Sequence, residues 1–242
     1  MTETPSRTVF REQDAGRAGT CDGVDLSRMA VLVHQQPTLP DTVERVLEFA
    51  RTAVDCSAAA VVFVHAKQRL ELVASTDPAV ADLVATQMEA GEGPVLSMVT
   101  HDESVVVDDT HEDGPWRAWA SAAAGLGYRS FLGVRLETGD RTMGTLNLYG
   151  NRPNQFSPAD VQVAHLLARH AAVALALAQK SDNLWRAVDA RKLIGQAEGI
   201  LMERYDLDQD RAFEVLRRYS QDTNVKLRDV AQRVVDTRRL PE

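Results

Sequence analysis

The sequence predicts an α+β domain built on an antiparallel sheet flanked by helices, followed by a long connecting helix and a small three-helix bundle. Short apolar runs alternate with helical patterns through residues 41–150, which is typical of hairpins covered by helices. Residues 159–194 then contain no glycine or proline, so this stretch predicts a helix about 54 Å long. Residues 186–238 add three shorter helical patterns.

Composition indicates an intracellular protein rather than a secreted or membrane protein. The chain has 242 residues and a net charge of -8, but residues 184–242 hold 12 Lys and Arg against 11 Asp and Glu. The acidity therefore belongs to the first part, and the C-terminal part is the better candidate for meeting a polyanion. Two distant cysteines, Cys21 and Cys56, suit a reducing compartment. We expect a cytoplasmic protein without a signal peptide or membrane span.

The first elements predicted are a tail and two helices. Residues 1–24 are polar and without periodicity, which predicts a disordered tail. The stretch LSRMAVLVHQQ resembles a helix, with Ser27 as a possible cap. DTVERVLEFARTAV follows with apolar residues at helical spacing, and Asp41 is placed to cap it.

The sheet is predicted from three apolar segments. SAAAVVFVHAKQRLELVAST predicts a strand, a turn at AKQR and a second strand. Helices are expected over residues 77–88 and 94–98, a short strand over 104–110, and a helix over 114–128. SFLGVRLETGDRTMGTLNLYG then predicts a hairpin that turns at Gly-Asp.

The long helix carries residues that recur at steps of three, four or seven. They are Leu166, His170, Val173, Leu177, Leu184, Val188 and Arg191. One globular core cannot cover so long a helix, so the favoured interpretation is a coiled coil with a second chain over residues 157–190. The alternative is two shorter helices with a bend near residues 180–183.

Residues 25–178 resemble a GAF domain, a sensory fold. The resemblance is carried, in order, by Gly144, Leu146, Leu148, Phe156, Asp160, Leu167 and residues 171–174. It implies a pocket between the sheet and its covering helices for a small molecule or signal that the sequence does not name. The Asn-Lys-Phe-Asp-Glu signature of the cyclic-nucleotide-binding members is absent.

No residue pattern in this domain indicates a particular cofactor, so we predict none. Cys56 is expected to be a buried small residue, and Trp116 and Trp119 are expected to pack in the core. A haem would need an axial histidine, and a metal ion would need an acidic cluster. The histidines are expected to be ordinary surface or core residues, and the acidic run is expected to be a solvated loop. The histidines are His65, His101, His111 and His165, and the acidic residues are Asp108, Asp109, Glu112 and Asp113. No nucleophile elbow or phosphate-binding loop is present, so the chain is not expected to be an enzyme.

The C-terminal segment predicts three helices. The first continues the long helix to about Arg204, with Gly199 as a close-packing point; the second starts near Asp208, and the third follows Asn224 as its cap. The inward residues predicted for the second and third helices are Ala212, Phe213, Val215, Leu216, Tyr219, Leu227, Val230, Ala231 and Val234.

This segment, LIGQAEGILMER followed by DRAFEVLRRYSQDTNVKLRDVA, resembles an ANTAR domain over residues 186–238. The matching positions are Ile194, Gln196, Ala197, Gly199, Ile200, Leu201, Met202, Ala212, Phe213, Leu216, Arg217, Ser220, Asn224, Leu227 and Ala231. The family is the RNA-binding output module of transcription antiterminators, which recognise paired hairpins with hexanucleotide loops in nascent transcripts.

The resemblance implies a signal-responsive antiterminator that acts as a homodimer on tandem RNA hairpin loops. Lys and Arg would contact phosphates, and polar residues would read splayed bases. The candidate RNA-binding residues are Arg191, Gln196, Arg204, Arg217, Tyr219, Ser220, Asn224, Lys226 and Arg228. Arg218 cannot point the same way as Arg217. Tyr219 could serve packing alone, and Asn224 capping alone.

Two alternatives stay open. Glu198 stands where many ANTAR sequences carry lysine, and an acid beside RNA would be repelled, so a sensor that binds protein partners without RNA affinity is one alternative. A DNA-binding regulator is the other, because a small three-helix module can mimic helix-turn-helix geometry.

Overall fold

The computed structural model of the protein describes residues 38–112, 114–139 and 141–239. The predicted tail over residues 1–24 and the predicted helix over residues 26–36, with Ser27 as its cap, lie outside those residues.

Within the described residues, helices and strands follow one another in the predicted order. They are α1 (Leu39–Ala53), β1 (Ala58–Val64), a 3-10 turn (Ala66–Gln68), β2 (Leu70–Ser75), α2 (Val80–Ala90), α3 (Pro94–Thr100), β3 (Ser104–Val107), α4 (Arg117–Gly125), β4 (Ser130–Thr138), β5 (Arg141–Gly150), α5 (Pro158–Tyr205), α6 (Gln209–Thr223) and α7 (Leu227–Thr237). The predicted α+β class is confirmed.

The five strands form one antiparallel sheet in the order β2-β1-β5-β4-β3, so β5 lies at the centre. One face of the sheet packs against α1 and α5 through side chains such as Val46, Leu148 and Leu167. The other face packs against α2, α3 and α4 through side chains such as Leu83 and Phe131. The sensor part is thus a sheet between two helical layers, each with its own apolar core.

The cap of α1 differs from the prediction. Thr38 is the N-cap, and its Oγ1 accepts a hydrogen bond from the Asp41 backbone N at 3.3 Å. The helix begins before Pro40. Proline is tolerated in this first turn, because its missing N–H would have no helical partner there. Asp41 therefore lies inside the first turn, and its prediction as the cap is wrong.

Helix α5 runs without interruption for 48 residues. It begins with a capping box, in which Ser157 and Asp160 satisfy each other's backbone N–H groups. Its first half is buried against the sheet at residues such as Leu167 and Leu175, and its last turns are buried against α6 and α7 at Ala197 and Leu201. The predicted long helix is confirmed, and the alternative bend near residues 180–183 is absent from α5.

Helix α5 also contains an 18-residue window that is apolar enough, by length and composition, to cross a membrane. Of that window, 44% is buried inside the fold, as in the core helix of a water-exposed domain. The window is therefore weak evidence for a span.

Gly144 on β5 lies against the backbone of β1. A Cβ built there would lie 2.0 Å from the Val62 carbonyl O and 2.9 Å from the Phe63 Cα. Backbone atoms of a central strand cannot move aside without breaking the ladder, so only glycine fits this position.

We expect Gly144→Ala to destabilise the protein by about 2 kcal/mol, because overpacking against a fixed backbone strains the β1–β5 pair. Chemical denaturation followed by circular dichroism measures the change. Gly125→Ala is the matched control, since a Cβ at Gly125 meets nothing within 4 Å. Equal stability of the two variants would contradict the assigned role of Gly144.

Candidate nucleic-acid interface

The last turns of α5, together with α6 and α7, form a three-helix bundle with its own core. Seven small or aliphatic side chains are buried in it: Ala197, Leu201, Ala212, Leu216, Val230, Ala231 and Val234. Leu193, Ile194, Val215, Tyr219 and Leu227 pack against them while remaining half-buried. Because α5 contributes directly to this core, the bundle is continuous with the helix that leaves the sensor part.

Asp208 caps α6 as predicted, since its side chain accepts a hydrogen bond from the Arg211 backbone N at 2.8 Å. The preceding Asp206 ends α5 in the left-handed conformation, with φ 54°. The two aspartates lie two residues apart, so the chain reverses within three residues between α5 and α6.

The turn between α6 and α7 is built by two polar residues that the sequence marked as candidates. Asn224 ends α6 in the left-handed conformation with φ 53°, which asparagine tolerates better than most residues. Ser220 Oγ donates to the Val225 carbonyl O at 2.6 Å. The prediction that Asn224 caps the third helix is wrong, because Lys226 holds the N-cap position of α7.

The structure places five of the nine predicted contact residues at the two ends of α7 and the other four elsewhere in the bundle. Ser220, Asn224, Lys226 and Arg228 lie at the α6–α7 turn. Arg204 lies at the other end, where its Nη1 donates to the Arg238 carbonyl O at 2.9 Å. An 11-residue helix separates these ends by about 16 Å. The remaining four lie on α5 (Arg191, Gln196) and on α6 (Arg217, Tyr219).

An open groove lies between the last turns of α5 and the end of α7. Its lining residues are Gln196, Gly199, Ile200, Glu203, Arg204, Val235 and Arg238. Gly199 is exposed, and a Cβ built there would meet nothing within 4 Å. The prediction of Gly199 as a close-packing point within the bundle is therefore wrong.

Glu198, the acidic departure from the family pattern, is half-buried and faces the start of α6. Gln209 Nε2 donates to its Oε2 at 3.4 Å. A carboxylate at the first turn of a helix is stabilised by the helix dipole. Glu198 therefore has a hydrogen-bond partner on the surface of the bundle.

Phe213 was predicted to point inward, but its side chain is 37% exposed. It lies one turn before Arg217 on the surface of α6, so the two side chains are neighbours. Tyr205 is 44% exposed, and the Arg204 guanidinium lies 6.0 Å from its ring centroid. Both rings offer surfaces on which an unstacked base can lie, and sequence reasoning missed both. Exposed rings beside arginines are the signal that could have found them.

The adjacent arginines of α6 are both exposed and point to different neighbours. Arg217 Nη2 lies 3.5 Å from Glu214 Oε1, and Arg218 Nε lies 3.7 Å from Asp222 Oδ2. Such exposed ion pairs contribute little to stability, so phosphates can compete for these guanidinium groups.

A second candidate site lies in the sensor part, on the sheet face that packs against α2, α3 and α4. Thr145, Asn147 and Tyr149 alternate along β5 with leucines of the opposite face. All three are fully buried. Thr145 Oγ1, both amide atoms of Asn147, Tyr149 OH and the indole N–H of Trp119 have no hydrogen-bond partner within the described part of the chain.

The residues beside Asn147 are small. In register with it lie Ala60 on β1 and Gly133 on β4. Met98 of α3 covers Gly133, and Trp119 of α4 packs edge-on against Phe131 at 5.1 Å between ring centroids. A buried polar group without a partner costs about 1–3 kcal/mol, so a group of them in one layer indicates that water or a ligand completes it.

Burial raises the pKa of Tyr149, so this tyrosine stays neutral within the layer. Tyr128, whose ring lies 5.0 Å from that of Tyr149, also has a raised pKa because of burial and its hydrogen bond to Asp77. The layer is therefore polar at its centre and lined there by uncharged side chains.

Two predictions for the sensor part hold. Cys56 is buried, and desolvation raises the pKa of its thiol to about 11, so the thiol stays protonated at neutral pH. Trp119 is buried in the core, with Trp116 half-buried beside it.

In the acidic run, Asp109 pairs with Arg129 at 2.6 Å, and the hydrogen bond from Arg129 lowers the pKa of Asp109 to about 2.

Comparison with family models matches a GAF domain to residues 36–176, which is more than half of the chain. The protein belongs to the GAF-domain family. A second model, the ANTAR domain, matches residues 182–235. The protein thus has a GAF–ANTAR architecture, which combines a sensor domain with an RNA-binding regulatory domain. Neither of these domains is catalytic. No curated protein matches the chain.

Solved structures support the GAF fold. A GAF domain of a phosphoenolpyruvate-protein phosphotransferase from Acinetobacter is 20% identical with a TM-score of 0.51, covering 65% of this chain and 94% of that chain. Free methionine-R-sulfoxide reductase from Neisseria meningitidis is 16% identical with a TM-score of 0.52, covering 72% of this chain and 98% of that chain. At these identities the likeness shows the fold alone.

We expect Ser220→Ala to destabilise the ANTAR domain by about 1 kcal/mol, because the Val225 carbonyl loses its hydrogen bond. Thermal unfolding measures the change. Thr223→Ala is the control: Thr223 Oγ1 donates to the Tyr219 carbonyl O within α6 and is exposed, so its loss should change stability by less than about 0.5 kcal/mol. If Ser220→Ala left stability unchanged, Ser220 would not hold the turn.

Proposed function

We propose that the protein is a transcription antiterminator whose ANTAR domain binds tandem hairpin loops in nascent RNA under control of the GAF domain. The observation that carries this proposal is the ANTAR match over residues 182–235. A cytoplasmic homodimer would present two ANTAR domains to two hairpins. The near-balanced charge of residues 184–242 favours recognition of splayed loop bases over nonspecific phosphate binding.

The proposed RNA surface contains the nine predicted residues, together with Phe213 and Tyr205. Lys226 and Arg228 are exposed at the α6–α7 turn, and Arg217 is exposed beside Phe213 on α6. In this proposal the cations contact phosphates, while the aromatic rings and Gln196 contact bases. Ser220 and Asn224 position the turn rather than read a base.

Replacing Arg217 and Lys226 together by alanine should weaken binding to a two-hairpin RNA by at least tenfold and flatten its salt dependence, because two phosphate contacts are lost. Fluorescence anisotropy at several salt concentrations measures both effects. Arg45→Ala with Arg69→Ala is the matched control, since it removes the same charge from the GAF domain.

Two further outcomes would contradict the proposal. Equal binding to hairpins with scrambled loops would show that the protein does not recognise the loop sequence. Tighter binding to duplex DNA of the same length would instead support a DNA-binding regulator.

For the sensor, we propose that a small, neutral molecule with both hydrogen-bond donors and acceptors occupies the layer around Asn147. The support is that five of the six buried side-chain polar atoms without partners among the described residues belong to Trp119, Thr145, Asn147 and Tyr149 of this layer; the sixth is Ser130 Oγ. The amide of Asn147 supplies both a donor and an acceptor, and the raised pKa of Tyr149 keeps its hydroxyl neutral.

Asn147→Leu should abolish the binding of any small molecule that co-purifies with the wild-type protein. Its thermal stability should be unchanged or raised, because the substitution removes a polar group that has no hydrogen-bond partner within the described part of the chain. Native mass spectrometry and thermal unfolding measure the two effects. Gln87→Leu is the control: Gln87 is buried, but it bonds the Leu83 carbonyl and the Val95 N–H, so its loss should destabilise the protein. A bound molecule that persists in Asn147→Leu would contradict this placement.

A further inference from the structure

A cleft of about 420 Å³ lies between the β4–β5 hairpin and α5, where α5 leaves the GAF domain. Met143 of β5 and Ala176 of α5 line its apolar base, and Ala176 packs against the core that contains Met143. Thr138 and Arg141 pair across the turn of the hairpin, and both line the cleft. The hairpin turn therefore lies beside α5.

The polar side chains of this cleft can all donate hydrogen bonds, and none of its lining residues is acidic. Arg141 and Lys180 are exposed cations, while Thr138, Gln179 and Asn183 add a hydroxyl and two amides. We call these five residues the hairpin cleft. Within the described part of the chain, its two cations have no ion-pair partner.

The acids closest to the hairpin cleft along the described chain are already paired with other cations. Glu137 lies 2.8 Å from Arg135, and Asp182 lies 3.9 Å from Arg186. Two unpaired cations with neutral donors beside them form a site for an anion. Phosphate oxygens accept hydrogen bonds from all of these donor types.

The hairpin cleft opens on the side of α5 that carries the ANTAR helices. Eighteen residues complete about five turns of an α-helix, so residues 18 positions apart share one side. Gln179 and Asn183 therefore lie on the same side as Ala197 and Leu201, which are buried against α6 and α7.

The α6–α7 turn lies at the end of the bundle nearer to the hairpin cleft. At the far end, Arg204 Nη1 donates to the Arg238 carbonyl O, which places the end of α7 beside the end of α5. Helix α7 has 11 residues, and its buried side chains pack against α5 along its length. The start of α7, where Lys226 and Arg228 are exposed, is therefore level with about Leu193 of α5.

Between the hairpin cleft and this turn, α5 forms the floor of a recess. From Lys180 to Leu193 the helix rises about 20 Å. Asn183, Ala187 and Ala190 follow one another at helical spacing on this side, and the first two are exposed. The floor is thus uncharged and built mostly of small residues.

Cations stand on both sides of this recess. Arg141 and Lys180 lie on the GAF side, and Lys226 and Arg228 lie on the ANTAR side. A single small anion can contact only one side, because the sides are about 20 Å apart. An RNA strand carries a phosphate on every nucleotide, so one strand can contact both sides.

We propose that the hairpin cleft binds backbone phosphates in the stem of an RNA hairpin whose loop is held by the ANTAR domain. This inference rests on the proposed function and adds the GAF domain to its RNA surface. Arg141 begins β5, the strand that carries Asn147. The RNA contact and the proposed ligand layer therefore share one strand.

The first test removes both cations from the full-length protein. Arg141→Ala with Lys180→Ala should raise the dissociation constant for a two-hairpin RNA at least tenfold in fluorescence anisotropy. The slope of log Kd against log salt should fall by about 1.5 per protein chain, because two phosphate contacts are lost. Thermal unfolding should be unchanged, because both side chains are exposed.

Arg51→Ala with Arg152→Ala is the matched control. It removes the same charge from exposed positions of the GAF domain. Arg152 follows the other end of β5, about 30 Å from Arg141 along the strand. Equal RNA affinities of the two double variants would overturn the phosphate contact, because net charge alone would then account for any loss.

The second test shortens the RNA. Hairpins reduced to the loop and its closing base pairs lack the stem phosphates, so the wild type and the Arg141→Ala, Lys180→Ala variant should bind them equally. A defect of the same size on short and long hairpins would place the contact outside the stem and overturn the proposal.

The third test measures proximity. Lys180→Cys in a Cys21→Ser background carries an iron–EDTA probe that cleaves nearby RNA backbone. Cys56 is buried, and the raised pKa of its thiol keeps it unreactive. Cleavage should fall in the stem next to the loop, and Arg152→Cys in the same background should give none there. No stem cleavage from position 180, or the same pattern from both positions, would contradict the contact.

A small phosphorylated molecule is the other possible occupant of the hairpin cleft. Pyrophosphate is the probe for it in isothermal titration calorimetry. Pyrophosphate binding by the wild type that is lost in the Arg141→Ala, Lys180→Ala variant, with equal RNA binding by the two proteins, would assign the cleft to such a molecule and overturn the RNA contact.

These results separate the contact from the proposed function. If the wild type and the Arg141→Ala, Lys180→Ala variant bind hairpin RNA equally well, the contact fails and the antiterminator proposal stands. If the wild type binds no hairpin RNA, both fail.

Discussion

The continuity of α5 is the constraint on which the rest of the structure depends. One helix supplies Leu167 and Leu175 to the core of the GAF domain and Ala197 and Leu201 to the core of the ANTAR domain. A helix of 48 residues without an internal break connects the two cores through one continuous backbone. The ANTAR bundle is small and would be marginal alone, and the shared helix removes part of the entropy cost of ordering it.

The central strand connects the proposed ligand layer to this helix. Along β5, Asn147 faces the helices α2–α4, whereas its neighbours Leu146 and Leu148 face the core that contains α5. Interiors are close-packed, so a ligand that displaces Asn147 cannot leave those leucines in place. In the proposed mechanism, a change in the hydrogen bonding of Asn147 on one face of the sheet therefore alters the packing of Leu146 and Leu148 against α5 on the other face.

Sequence periodicity predicted the elements but not the details that define the sites. The strands and the long helix follow from apolar spacing and from the lack of glycine and proline over residues 159–194. Phe213 was wrongly predicted to point inward. Successive residues of a helix lie 100° apart, so Ala212 takes the buried position and Phe213 next to it is exposed. The cluster around Asn147 was missed because Ala60 and Gly133, which flank it, come from distant parts of the sequence.

In the proposed function, two ANTAR domains acting on one RNA would compensate for the low net charge of each domain. Acids pair with the arginines of α6, as in Arg217 with Glu214 and Arg218 with Asp222. A phosphate contact by either of these arginines must displace such a pair, which lowers the electrostatic contribution of one domain and favours loop recognition over nonspecific binding. A second domain held on the same dimer binds at a high effective concentration, which raises the overall affinity by about 10²–10⁴ without any new contact. That gain exists only when both hairpins can be reached at once, so the separation of the two domains acts directly on RNA affinity. In the proposed function, a sensor that turns α5 would thus switch RNA binding without altering a single RNA-contacting residue.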